Sequence, residues 1–111
     1  MYLAAARENI ERSRDAAHKL FGRDVPYVLL MHVSTMSARM MPQLLQLYRG
    51  AGFRFVSLAE AERDPVYRPY TDLRLPAPPS PWELARQKGV QLTRATDYGP
   101  KLDAMCSAKT D

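Results

Sequence analysis

The chain has 111 residues, 46% hydrophobic and 25% charged, the composition of an ordinary globular polypeptide rather than a disordered one. Its net charge of +4 arises from sixteen Lys and Arg spread along the chain and mixed with twelve acids, which reads as a solvated surface. Nucleic-acid recognition finds no zinc-finger, helix-turn-helix or basic-aromatic pattern, lone Cys106 excludes an internal disulfide and a cysteine metal site, and no stretch approaches the ~20 apolar residues of a membrane span.

The first segment, Tyr2 to Phe21, places Leu3, Ala6, Ile10, Ala17, Leu20 and Phe21 at helical spacing, with Glu8/Arg12 and Asp15/Lys19 as i,i+4 pairs on the outer face. Arg7 and Glu8 interrupt its apolar start, so it does not read as a signal peptide. Gly22 supplies a left-handed cap, and Pro26 pushes Val25 toward extended geometry. The run Tyr27 to Met31, apolar without alternation, predicts a strand over 27–32 covered on both faces, as in a parallel sheet.

Ser34, Thr35 and Ser37 are candidate caps for a second helix, whose inward positions are Met40, Met41, Leu44, Leu45, Leu47 and Tyr48, with Pro42 in its first turn. Gly50 and Gly52 end it, and Phe53-Arg54-Phe55-Val56 predicts a second strand, making 27–56 a right-handed β-α-β crossover. Ser57-Leu58-Ala59-Glu60 has capping-box spacing and predicts a short helix to about Arg63, stopped by Asp64-Pro65. The expected fold class is therefore α/β.

Residues 1–67 form the expected compact part and 68–111 a strap. Pro69, Pro76, Pro78, Pro79 and Pro81 favour extended chain there, with Trp82 as its anchor, a short helix to Lys88 and a mobile tail of ~20 residues. Two parallel strands with their helices cannot cover a sheet's faces and edges. The missing cover can come from self-association, another polypeptide, or a region encoded upstream.

His32 is the leading candidate for chemistry, since imidazole titrates near neutrality and ligands of α/β sheets bind beyond the carboxyl ends of strands. The competing reading is a histidine that merely ends a strand and bonds to backbone. His18 is expected to be a solvated helix residue, because its spacing from His32 fits no metal site. Met36, Met40 and Met41 read as packing, and Asp72, Asp97, Asp103 and Asp111 as solubilising groups. No phosphate loop, nucleophile elbow or His-Glu-x-x-His helix occurs.

The motifs Phe21-Gly22-Arg23-Asp24-Val25-Pro26, Tyr27-Val28-Leu29-Leu30-Met31-His32, Met41-Pro42-Gln43-Leu44-Leu45, Gly52-Phe53-Arg54-Phe55-Val56-Ser57-Leu58 and Asp64-Pro65-Val66-Tyr67 follow in an order that resembles the C-terminal part of a polysaccharide deacetylase domain. The likeness runs from about Tyr2 to Trp82. It implies a fragment of a distorted (β/α) barrel, a fold of seven or eight strands that removes acetyl groups from N- or O-acetylated carbohydrate with a divalent metal, usually zinc, held by an Asp and two His.

By that resemblance Leu30-Met31-His32 matches a Leu-x-His motif, with His32 the general acid that protonates the leaving amine or alcohol and Leu30 lining the pocket for the acetyl methyl group. A metal-activated water and an upstream Asp base would complete the hydrolysis, and an upstream carboxylate would hold His32 charged. The family's paired aspartates, His-x-x-x-His ligands and Arg-containing motif have no counterpart here. The expectation is an incomplete hydrolase, inactive and metal-free alone, completed by a missing half-barrel or by self-association; the alternative is a non-catalytic α/β interaction module. Family members are often exported.

Overall fold

The computed structural model describes residues Met1–Ser107. Helix α1, Tyr2–Phe21, forms as the apolar spacing predicts and extends about 30 Å. Gly22, at φ 70°, ends it by returning its N–H to the His18 carbonyl at 3.0 Å, and His18 and Lys19 place basic groups in the last turn.

Helix α2 spans Thr35–Gly50. Of the three candidate caps, Ser34 takes the role: its hydroxyl accepts from the Ser37 N–H at 3.0 Å. Pro42 lies in the third turn rather than the first, so the Ala38 carbonyl receives no i→i−4 bond.

Four short elements follow: α3 (Leu58–Ala61), a 3-10 turn (Pro65–Tyr67), α4 (Arg68–Thr71) and α5 (Pro81–Lys88), before α6 (Gly99–Ser107). The Ser57 capping box is half formed, since the hydroxyl accepts from Glu60 N–H while the Glu60 carboxylate turns toward Arg54 at 3.7 Å. Helix α3 ends two residues before the expected Arg63. A full capping box caps α5, with Ser80 and Glu83 each accepting from the other's backbone N–H.

The predicted α/β barrel fragment is not found. Among the described residues there is no strand and no sheet, and the fold is all helical. Residues 24–33 and 53–57 run without regular structure on either side of α2. The Tyr27 and Phe53 rings meet edge to face at 5.6 Å, yet the two backbones exchange no hydrogen bond. Two short segments gain too little from each other to offset their ordering, because an isolated strand pair is marginal in water and small sheets need further strands.

Two small cores hold the helices. Ile10, Leu44 and Tyr48 join α1 to α2, with Tyr2, Ala6, Met31 and Phe53 packed against them. Leu20, Ala85 and Leu92 join the other end of α1 to α5 and the segment after it. The radius of gyration, 16.9 Å, exceeds the ~13 Å of a compact chain of this length.

The strap is more ordered than expected and differently anchored. Trp82 is 53% exposed, and Ala85 and Leu84 make the contacts to α1. The stretch before α6 is tied to α1 by polar side chains: Arg12 donates to the Thr93 carbonyl, Lys19 to the Gln91 carbonyl, and Glu8 accepts from Thr96 N–H and the Tyr98 hydroxyl. The expected mobile tail thus includes a held arm and helix α6; residues 108–111 lie outside the described residues.

Candidate functional site

The segment carrying Leu30 and His32 is fixed at its base by two of the sequence motifs. Arg23 and Asp64 form a two-pronged ion pair, Nη1 to Oδ2 at 3.0 Å and Nη2 to Oδ1 at 2.5 Å. The Arg23 guanidinium holds the Asp64 carboxyl below its ordinary range, helped by the Val66 N–H that Asp64 caps. Beside it the Tyr67 hydroxyl donates to the Pro26 carbonyl. Phe21-Gly22-Arg23-Asp24-Val25-Pro26 and Asp64-Pro65-Val66-Tyr67 therefore meet in space.

Tyr27 is pinned next. Its hydroxyl donates to Asp24 Oδ1 at 2.8 Å, and burial together with that bond pushes its pKa up to about 12. The Tyr27 hydroxyl in turn lowers the Asp24 carboxyl, whose Oδ1 also lies 3.4 Å from His18 Nε2. His18 is exposed, as expected of a surface histidine.

Beyond Tyr27 the segment loosens its hold. Leu30 is 84% exposed, Val33 fully so, and His32 is exposed with no hydrogen-bond or ion-pair partner among the described residues. An open groove of ≈ 940 Å³ lies between this segment, α1, α2 and residues 52–67. Leu29 and Met31 line it, together with Ile10, Leu45, Tyr48 and Phe53, whereas Leu30 and His32 do not. Tyr27 and Val28 line it as well, so the groove takes up the first part of the segment and leaves out Leu30 and His32.

The remaining sequence candidates play other parts. Met41 lines the groove, while Met36 is 58% exposed and packs into neither core. Asp72 pairs with Arg74, and Asp97 accepts from the Gly99 N–H at the start of α6. Asp111 is outside the described residues. The clasp of Arg23, Asp64 and Tyr67 was missed because each lies in a segment that reads locally as loop; recurrence of charged residues at both motif ends is its only sequence signal.

Among the described residues no group of three or more His, Cys, Asp or Glu could hold a metal ion. The zinc that the resemblance implies therefore has no fit on these residues. No described helix is long and apolar enough to cross a membrane. Comparison with protein-family models, with curated proteins and with solved structures returned no match.

Proposed function

We propose that this chain is the His32-bearing portion of a carbohydrate deacetylase, hydrolysing N- or O-acetyl groups only when further polypeptide supplies the metal ligands and the base. One observation supports the reading above the motifs themselves. The Leu30-Met31-His32 tripeptide lies between a clasped base and the start of α2, with Leu30 and His32 exposed and, among the described residues, nothing bonded to either.

In this reading the His32 imidazolium donates a proton to the departing amine or alcohol, and Leu30 offers the acetyl methyl an apolar wall. General-acid donation of this kind is worth about 10²–10⁴-fold in rate. Among the described residues His32 has no hydrogen-bond or ion-pair partner to orient it.

The test assays acetate release from acetylated chito- and xylo-oligosaccharides with zinc, using this chain and the product of the whole reading frame that encodes it. The expected result is none from the chain alone, and turnover by the whole product that falls about 10²-fold or more in His32→Ala. Robust release by the chain alone, or a whole product indifferent to the substitution, overturns it. The second reading, an interaction module without catalysis, is favoured by the groove and predicts a whole product that binds a partner and releases no acetate.

A further inference from the structure

The stretch between α4 and α5 carries Pro76, Pro78, Pro79 and Pro81, and neither core uses any of them. Each ring fixes its own φ near about −65° and drives the residue before it toward extended geometry. Leu75, Ala77, Pro78 and Ser80 are the residues so driven. Ser80, at φ −62° and ψ 159°, lies in the polyproline II region. Among the described residues the Ala77 N–H and the carbonyls of 76–78 form no hydrogen bond, which fits a polyproline II helix, whose backbone bonds only outward.

Both ends of this strap are held. At its start the Leu75 N–H donates to the Asp72 carbonyl at 3.0 Å, and the Asp72 carboxylate accepts from the Arg74 N–H and guanidinium. At its end the Tyr70 hydroxyl donates to the Pro79 carbonyl at 3.4 Å, and the capping box of Ser80 and Glu83 follows. Little conformational freedom is left to lose on binding. The outward side is apolar: Pro76 and Ala77 are exposed, Leu75 is 40% and Leu73 96% exposed, while Pro78 and Pro79 are half-buried.

The prolines also select the partner. Without N–H groups they cannot extend a sheet or a helix, so recognition falls to flat rings and unbonded carbonyls. A groove walled by Tyr and Trp matches both, because aromatic faces pack on proline rings while the hydroxyl and indole N–H donate. Leu75-Pro76 and Pro78-Pro79 are two apolar-proline pairs separated by one residue, and Pro76 and Pro79 share a side of a helix with three residues per turn.

We propose that residues 75–79 are a docking ligand for a protein domain with an aromatic-lined groove, of the SH3 or WW kind. The interaction is independent of acetyl hydrolysis and of His32.

The test titrates the isotope-labelled chain with an unlabelled SH3 domain and, separately, a WW domain, and follows amide resonances. With at least one of them the amides of Leu73, Arg74, Leu75 and Ala77 shift as the domain is added, while those of α1 hold their positions. Pro76→Ala combined with Pro79→Ala weakens binding at least about tenfold. Leu75→Asp, at a solvent-facing position that leaves both held ends in place, gives the same loss. Absence of shifts with both domains up to about 1 mM, or shifts that survive both variants, overturns the proposal. Shifts confined to Leu29, Met31 and Phe53 place binding in the groove and overturn it as well.

Discussion

The Arg14 guanidinium lies 4.4 Å from the centroid of the Phe53 ring and donates to the Ala51 carbonyl at 2.6 Å, so one α1 side chain holds the turn that follows α2. Gly52, at φ 88°, lets that turn bend back. Arg14→Met keeps the stem and loses both polar contacts. It should cost about 1–2 kcal/mol, the sum of a charge-assisted bond to a partly hydrated carbonyl and a cation-π contact, read as a lower urea midpoint with unchanged slope.

Tyr27 should make the protein sensitive to alkali. Its folded pKa, about 12, is raised above the ordinary 10, so its contribution to stability is full below pH 10 and disappears as pH rises through 12. Urea midpoints measured across that interval should fall, and fall less steeply in Tyr27→Phe, which keeps the ring against Phe53 and removes the ionisable hydroxyl.

Glu8 governs the C-terminal arm in the opposite direction. The Thr96 N–H at 2.5 Å, then the Tyr98 hydroxyl, lower its carboxyl from the ordinary 4.5. A depressed carboxyl contributes above 4.5 and loses that contribution as pH falls through its lowered value. The Thr96 amide resonance should therefore shift toward its unfolded position only on acidification below 4.5. Glu8→Ala, which removes both acceptors, should loosen the Thr96–Tyr98 end of the arm at neutral pH, seen as faster tryptic cleavage after Arg94.

Leu44 is 3% exposed at the centre of the first core. Leu44→Ala should cost about 2–3 kcal/mol, the low end for buried leucine, because a small core beside an open groove relaxes easily. Thermal unfolding monitored at the Tyr48 and Phe53 end should shift far more than the signal of Trp82.

The helices were legible because their apolar residues repeat at 3.6: Ile10, Ala17 and Leu20 in α1, and Leu44 and Tyr48 in α2, are the residues that end up buried. The run Tyr27 to Met31 misled for a physical reason. An apolar stretch reports a wish for cover, and whether it becomes a strand depends on neighbours that a local pattern does not contain. The arm was illegible because Thr93, Thr96 and Tyr98 bond to Asp15 and Glu8 across 78, 88 and 90 positions. Ser80 and Glu83, by contrast, carried a readable capping box that the prolines around them obscured. For the site, His32 was singled out as the end of a predicted strand and Leu30 by the Leu-x-His resemblance, while the clasp at Arg23, Asp64 and Tyr67 required the tertiary fold.

Among the described residues the two cores share no buried residue, and α1 contributes to both. Such a spindle can open at one end while the other stays shut, so its melting need not be a single cooperative event. The end bearing Leu44 and Tyr48 can reshape without disturbing Leu20, Ala85 and Leu92, leaving the opposite pole as a built-in internal standard for any such rearrangement.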